Sequence, residues 1–311
     1  MPACVAGLMT GTALSGMKGR QHREAGGPPD APEPGVGQGS AEADSGGGFD
    51  GDRAVTPGGG ERGSGGLMTA ADAPPVVLVH GTRFSAGQWS PQLAALQKDF
   101  RVAAVDLPGH GARSAEPWSL DAASEIIAAA VDSLDRGPAL VVGHSLGGYA
   151  SLEFARRFPE RLRGLVLAGA SASTRGPWAT PYRWVTGLVP RVPADRLARW
   201  NDRLLRRLYP PEVVEATIRS GYAFHTLPAA WGEVLGRFDA GAMRHVTAPV
   251  LILNGEKDPV FRSGESDFAR AHPHARVELI PRAGHLANFD DPAAFTDAVR
   301  RFARELPASC G

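Results

Sequence analysis

The chain is 311 residues long, and 33 lysines and arginines balance 33 aspartates and glutamates, so no net field draws it toward nucleic acid or anionic lipid. Its two cysteines, Cys4 and Cys310, sit at opposite ends, which excludes a disulfide scaffold and a cysteine-rich metal site. No apolar run approaches the roughly 18–20 residues that cross a bilayer.

Residues 1–67 read as a Gly/Pro-rich tail. Of 39 glycines, 19 fall within the first 66 residues with six of the 26 prolines, and apolar residues there are isolated. Such a stretch buries too little surface to offset the chain entropy of folding, and disorder is the expectation. The opening MPACVAGLMTGTALSG has no basic flank and is broken by Gly and Thr, so no signal peptide is expected and the cytoplasm is the expected compartment. Met68 begins MTAADAPPVV where the composition becomes that of a folded protein. A mis-assigned start upstream of Met68 accounts for residues 1–67, with a genuine flexible linker as the alternative. Residues 68–311 then form one domain of a size that suits a single α/β core.

From Pro74 onward short apolar runs alternate with amphipathic stretches, the pattern of a parallel sheet covered by helices on both faces. Strands are predicted at Val76–Val79, Arg101–Val105, Ala139–Val142, Leu165–Ala168, Val250–Leu253 and Val277–Ile280. Helices are predicted at Gly87–Lys98, Leu120–Leu134, Leu146–Phe158, Gly264–Ala271 and Pro292–Leu306. Ser171–Val246 breaks the alternation and is longer than a crossover needs, so it reads as a helical insertion. Within it Leu197, Trp200, Leu204 and Leu208 recur at three- and four-residue spacing over Asp195–Tyr209, and Pro211–Ala223 and Ala229–Phe238 follow as helices.

Gly143-His144-Ser145-Leu146-Gly147 is the only G-x-S-x-G in the chain, a pattern that a random chain of this size would hold roughly one time in ten. Its setting sharpens it. Ser145 follows the apolar run ALVV and opens the helical run LGGYASLEFARRF, the strand–turn–helix context of a strained nucleophile elbow, whereas a serine that merely caps a helix is the plain alternative. A serine hydroxyl needs a base that titrates near working pH, and histidine is the usual choice. Of nine histidines, His285 stands in the loop PRAGHLANF after the last strand, at the sheet edge expected to carry the serine. The loop after Val250–Leu253 reads NGEKDP and offers Asp258 as the orienting carboxylate, with Glu256 as the alternative.

The motifs HGTRFSAGQW, DLPGHGARS, GHSLGG, NGEKDP and AGHLANFDDP, in that order, resemble those of the α/β-hydrolase fold family over about residues 74–306. The resemblance implies a doubly wound, mostly parallel sheet with an inserted helical lid, a nucleophile–acid–histidine order, and no cofactor or metal. It also implies that the backbone N–H groups of Thr82 and Leu146 form an oxyanion hole. Because only MTAADAPP precedes the first strand, the family's usual N-terminal β-hairpin is missing and six parallel strands are expected, with Arg101–Val105 near an edge. Asp106, Gly109 and His110 of DLPGHG read as turn-fixing residues.

The implied activity is cleavage of a small or medium lipophilic carboxylic ester or lactone, with a small-molecule acyl substrate and water as the second substrate. Acyl transfer, perhydrolysis or haloperoxidation, and C–C or peptide hydrolysis use the same three residues, and a ligand-binding module with an idle site is a further alternative. In the lid, Trp178, Trp184 and Trp231 are candidate substrate contacts, although packing onto the body explains such rings equally well. Eleven arginines against six acids in residues 171–246 suit a solvated face as well as an acidic substrate.

Overall fold

The computed structural model describes residues 74–176 and 179–307. The readings made for residues 1–67, for Cys4 and Cys310, and for Trp178 lie outside the described residues.

The chain runs β1 (Val76–Val79), α1 (Ser90–Leu96), β2 (Val102–Val105), α2 (Leu120–Ser133), β3 (Ala139–His144), α3 (Leu146–Arg157) and β4 (Leu162–Ala168). Four helices follow before the next strand: α4 (Ala179–Leu188), α5 (Ala194–Leu208), α6 (Pro211–Arg219) and α7 (Leu227–Val234). Then come β5 (Val250–Gly255), α8 (Glu265–Arg270), β6 (Ala275–Ile280), the short α9 (Ala287–Asp290) and α10 (Pro292–Glu305). The strands form one six-stranded sheet in the order β2-β1-β3-β4-β5-β6, and every pairing is parallel. The sheet begins at β1 among the described residues, and β2 occupies an edge.

Alternation along each strand sends side chains to two separate cores, because successive Cβ atoms point to opposite faces. Val77, Val79, Val141, Leu165, Leu167, Val250 and Ile252 pack with α2, α3 and α8 on one face. Val76, Leu78, Leu140, Val142, Val166, Leu251 and Leu253 pack with Trp89, Leu96, Phe295, Val299 and Phe302 on the other. Both faces of the central strands are therefore dry, which is why their sequences are continuous apolar runs.

Four details differ from the sequence reading. The first helix is split into a 3₁₀ turn at Ala86–Trp89 and α1, because Pro91 supplies no N–H and is accepted only in the first helical turn. β3 continues through Gly143 and His144, which pair with Leu167 and Ala168, so it delivers Ser145 directly at its end. Helix α4 was not anticipated, since Pro181, Val185, Thr186 and Gly187 all weaken helical propensity. On α5 the buried stripe is Leu197, Asn201 and Leu205, whereas Leu208 is 49% exposed. The stripe is turned because a polar residue occupies its centre, where Asn201 Oδ1 accepts from Arg83 Nε at 3.1 Å.

Chain order changes direction between β1 and β3: β2 lies to one side of this pair, and β4, β5 and β6 follow on the other. Crevices at the carboxyl ends of strands flanking such a switch point are where open α/β sheets bind ligands. The loop after β1 and the turn after β3 meet there.

Candidate active site

Two backbones come very close at this point. A Cβ on Gly147 would lie 2.4 Å from the His80 carbonyl oxygen, and one on Gly81 would lie 2.4 Å from His144 Nδ1. Only glycine allows the loop after β1 to cross the start of α3 at that distance. Ser145 sits in the turn with φ 53° and ψ −117°, a conformation costly for a residue with a Cβ and one that lifts the side chain away from both strand and helix. Its hydroxyl makes no capping bond to α3, while its N–H donates to the Ala168 carbonyl at 2.8 Å. The helix-capping alternative is thus not what the side chain does.

His285 and Asp258 arrive from the loops after β6 and β5. Their side chains meet with His285 Nδ1 2.9 Å from Asp258 Oδ2. Asp258 is 1% exposed, and its other oxygen, Oδ1, accepts from the N–H groups of Val260 and Phe261, each at 3.0 Å. Burial pushes its carboxyl up, but the His285 imidazole and these two N–H groups outweigh burial and hold it below the ordinary carboxylate range. Glu256 is exposed instead and accepts from the Arg282 N–H at 2.7 Å, supporting the turn that precedes His285. The imidazole lies flat on Phe261, with ring centroids 4.6 Å apart at 14°. Gly169 passes beside it at φ 54°, where a Cβ would come 2.9 Å from the ring. No hydrogen bond joins Ser145 Oγ to His285 among the described residues.

A second layer of polar groups, not singled out in the sequence, links these pieces. Gln88 is fully buried; its Oε1 accepts from the Gly81 N–H at 2.8 Å, and its Nε2 lies 3.0 Å from His144 Nδ1. Since the amide donates to Nδ1, the proton of His144 is assigned to Nε2, which donates to the His285 carbonyl at 3.0 Å. Burial, then the charge of His285, drives the His144 pKa down to about 3, so the ring stays neutral in this role. In DLPGHG, Asp106 accepts from the N–H groups of Ala86 and Ala112, at 2.7 and 2.8 Å, and Gly109 and Gly111 have φ of 77° and 51°. These residues hold a turn, as expected.

Ser145 and His285 line one cavity, part of it open to solvent, with Thr82, Arg83, Phe84 and Trp231 among the other walls. No hydrogen bond engages the N–H of Thr82 or of Leu146 among the described residues. Trp231 Nε1 donates to Thr82 Oγ1 at 3.1 Å, and the Tyr182 ring stands 4.7 Å from the Trp231 ring. Of the tryptophans proposed as substrate contacts, Trp231 therefore lines the cavity; Trp184 is 69% exposed and does not. The reason is helical phase: on α4, Tyr182 and Thr186 face inward, and Trp184 falls on the opposite side. Among the described residues no cluster of His, Cys, Asp and Glu is arranged to hold a metal, and no helix is long and apolar enough to cross a membrane.

Comparison with known proteins bears on the same region. The chain is similar to the pimeloyl-[acyl-carrier protein] methyl ester esterase of Nitrosomonas europaea, 29% identical over 258 residues that cover 74% of this chain and 95% of that protein. A hydrolase from Pseudomonas aeruginosa superposes with TM-score 0.63 at 29% identity, covering 75% of this chain and 91% of its own. A thermophilic esterase from Thermogutta terrifontis, solved with malate bound, gives TM-score 0.60 at 28% identity and covers 75% and 90%. Residues 76–298 match the model of the alpha/beta hydrolase family, and with the parallel sheet and its flanking helices this establishes that the chain belongs to that family and is a hydrolase.

Proposed function

We propose that the chain is a serine hydrolase that cleaves a small or medium lipophilic carboxylic ester or lactone. In this reading Ser145 Oγ attacks the carbonyl carbon while its proton passes to His285 Nε2. The tetrahedral oxyanion is held by the N–H groups of Thr82 and Leu146, the latter at the start of α3, where the helix dipole favours negative charge. The carbonyl re-forms, the alkoxide leaves with the proton from Nε2, and an acyl-enzyme remains. Water then attacks the acyl carbon, giving its proton to His285; collapse releases the carboxylic acid and returns the proton to Ser145. Asp258 fixes the tautomer with the proton on Nδ1 and stabilises the imidazolium.

The observation that carries the reading is the 2.9 Å bond between His285 Nδ1 and buried Asp258 Oδ2, beside a serine held at φ 53° in the same cavity. Apolar walls from Phe84, Leu227, Trp231 and Leu286 favour a lipophilic group next to the reacting carbonyl. The β4–β5 connection, residues 171–246, acts in this reading as the lid that supplies Leu227 and Trp231. The esterase relatives support the choice of ester. The test is labelling with a fluorophosphonate together with turnover of an aryl ester panel. Both should occur in the native protein and vanish in Ser145→Ala, and turnover that survives that change would overturn the assignment. Adding alcohol, thiol or peroxide to the assay separates acyl transfer and perhydrolysis, which share the acyl-enzyme, from hydrolysis.

A further inference from the structure

Two helices of the β4–β5 connection, α4 and α7, pack against each other, with the Tyr182 and Trp231 rings 4.7 Å apart at their contact. Each gives one stripe to the cavity that holds Ser145 and His285: Tyr182 and Thr186 from α4, Leu227 and Trp231 from α7, both pairs at four-residue spacing. The neighbouring stripe of each helix, one residue further on, lines a second cavity, a groove at the surface. Arg183 and Gly187 of α4 line it, with Pro228 and Gly232 of α7 and Leu235 just beyond that helix. Thr186 lines both spaces. The site and the groove are therefore adjacent spaces along one helix seam, and Thr186 is the wall they share.

The groove owes its width to two glycines. Gly187 and Gly232 are exposed, and a Cβ on either would meet nothing within 4 Å. Neither has a positive φ, so no turn or close approach requires glycine at these places. Glycine inside a helix weakens it, because the unfolded chain has more freedom to lose. One glycine on each of two packed helices, demanded by neither backbone nor packing, leaves open space where a side chain would stand. The Thr186 hydroxyl is already satisfied, since it donates to the Arg183 carbonyl of its own helix at 3.1 Å. No Asp or Glu lines the groove among the described residues. A slot bounded by glycine, proline, leucine and a satisfied threonine suits an unbranched alkyl chain, which is narrow and brings no polar group that needs a partner.

Resting on the hydrolase reading above, we infer that the groove between α4 and α7 is a subsite for the far end of an unbranched alkyl chain on the ester, which leaves the site cavity past Thr186. The reacting carbonyl lies at Ser145, and the chain emerges between Gly187 and Gly232 with its end toward solvent. Chains too short to pass Thr186 gain nothing from the groove.

Two matched pairs test this: 4-nitrophenyl octanoate against 4-nitrophenyl butanoate, with the chain on the acyl side, and octyl acetate against butyl acetate, with the chain on the alcohol side. A fully buried methylene is worth about fourfold, so four more of them, partly buried in an open groove, should favour the longer member of at least one pair by roughly tenfold to a hundredfold in kcat/KM. Gly187→Leu and Gly232→Leu fill the groove without strain, because both backbones are ordinary and nothing lies within 4 Å of the added Cβ. Each should bring that ratio close to one, whatever factor both members lose together. Trp184→Ala, on the opposite side of α4, should leave the ratio where it is. A native ratio near one in both pairs, a ratio that survives both glycine replacements, or an equal fall in Trp184→Ala would overturn the inference. Binding is read separately by calorimetry on Ser145→Ala with methyl octanoate against methyl butanoate and octyl acetate against butyl acetate. The longer member of at least one pair should bind roughly tenfold more tightly and lose that advantage when Gly232→Leu is added. Failure of fluorophosphonate labelling would count against the hydrolase reading alone, because this binding comparison needs no turnover.

Discussion

Asp258 shows how much of a single residue's behaviour is set by its neighbours. Asp258→Asn keeps an oxygen for the N–H groups of Val260 and Phe261 but turns an NH₂ toward His285 Nδ1. The ring is then driven to the tautomer whose proton sits on Nε2, which cannot accept from serine. The variant should remain folded by circular dichroism while kcat falls on the order of 10³–10⁴-fold; near-native turnover would move the acid elsewhere, and a crippled Glu256→Gln would point to Glu256. Gly169 is a quieter constraint. Alanine there meets both an unfavourable φ of 54° and the His285 ring at 2.9 Å, so Gly169→Ala should lower kcat by about tenfold or more and cost roughly 1–2 kcal/mol by urea unfolding.

At the scale of elements, the site depends on three loops being held in register by buried polar groups. Gln88, in the 3₁₀ turn after β1, ties the Gly81 N–H to His144, and His144 at the end of β3 ties to the carbonyl of His285 after β6. Gln88→Leu leaves a buried N–H and a buried ring nitrogen unsatisfied, each costing about 1–3 kcal/mol. It also frees the His285 loop, and a misplacement of about an ångström can cost a hundredfold in rate. The expected result is a fall in melting temperature with kcat reduced about 10–100-fold and KM nearly unchanged. Gln88→Glu should restore the Gly81 bond but force the His144 proton onto Nδ1, so stability should recover more than kcat. Equal recovery of both would show that the link between His144 and His285 does not matter.

Across the whole molecule, the β4–β5 connection is fastened to the body by polar ties of unequal depth. Thr226 meets His110 at 3.1 Å, Glu233 accepts from the Leu120 N–H at the start of α2 at 2.7 Å, and Arg237 pairs with Glu153 of α3 at 3.1 Å. Burial pushes the Glu153 carboxyl up, but bonds and charge from Arg156 and Arg237 outweigh it, so its pKa in the folded protein is depressed. A depressed carboxylate contributes stability that is present above its unfolded pKa, about 4.3 for glutamate, and lost as pH falls through the lower folded value. Asp258, also depressed, contributes in the same direction. The melting temperature should therefore drop steeply below about pH 4, and Glu153→Gln should lower it at pH 7 while flattening the acid slope. An unchanged slope in calorimetry across pH 3–7 would remove Glu153 from that account.

Much of this was legible in the chain itself. Apolar runs separated by amphipathic stretches specify a parallel sheet, because strands dry on both faces admit no polar alternation, and all six strands lie where the pattern put them, with ends moved by up to three residues. Ser145, His285 and Asp258 stood out because each follows a strand at the carboxyl edge, where chain direction alone puts the loops together. What depended on distant contacts was hidden. Nothing local marks Asn201 of α5 as the partner of Arg83, 118 residues away, and Gln88 is ordinary in sequence but central where three loops converge. Trp184 and Trp231 are alike as residues, yet one faces water and the other the cavity. Local pattern determines period and which segments become strands; the phase of a packed helix, and the partner of a buried polar group, follow from which surfaces the folded chain brings together.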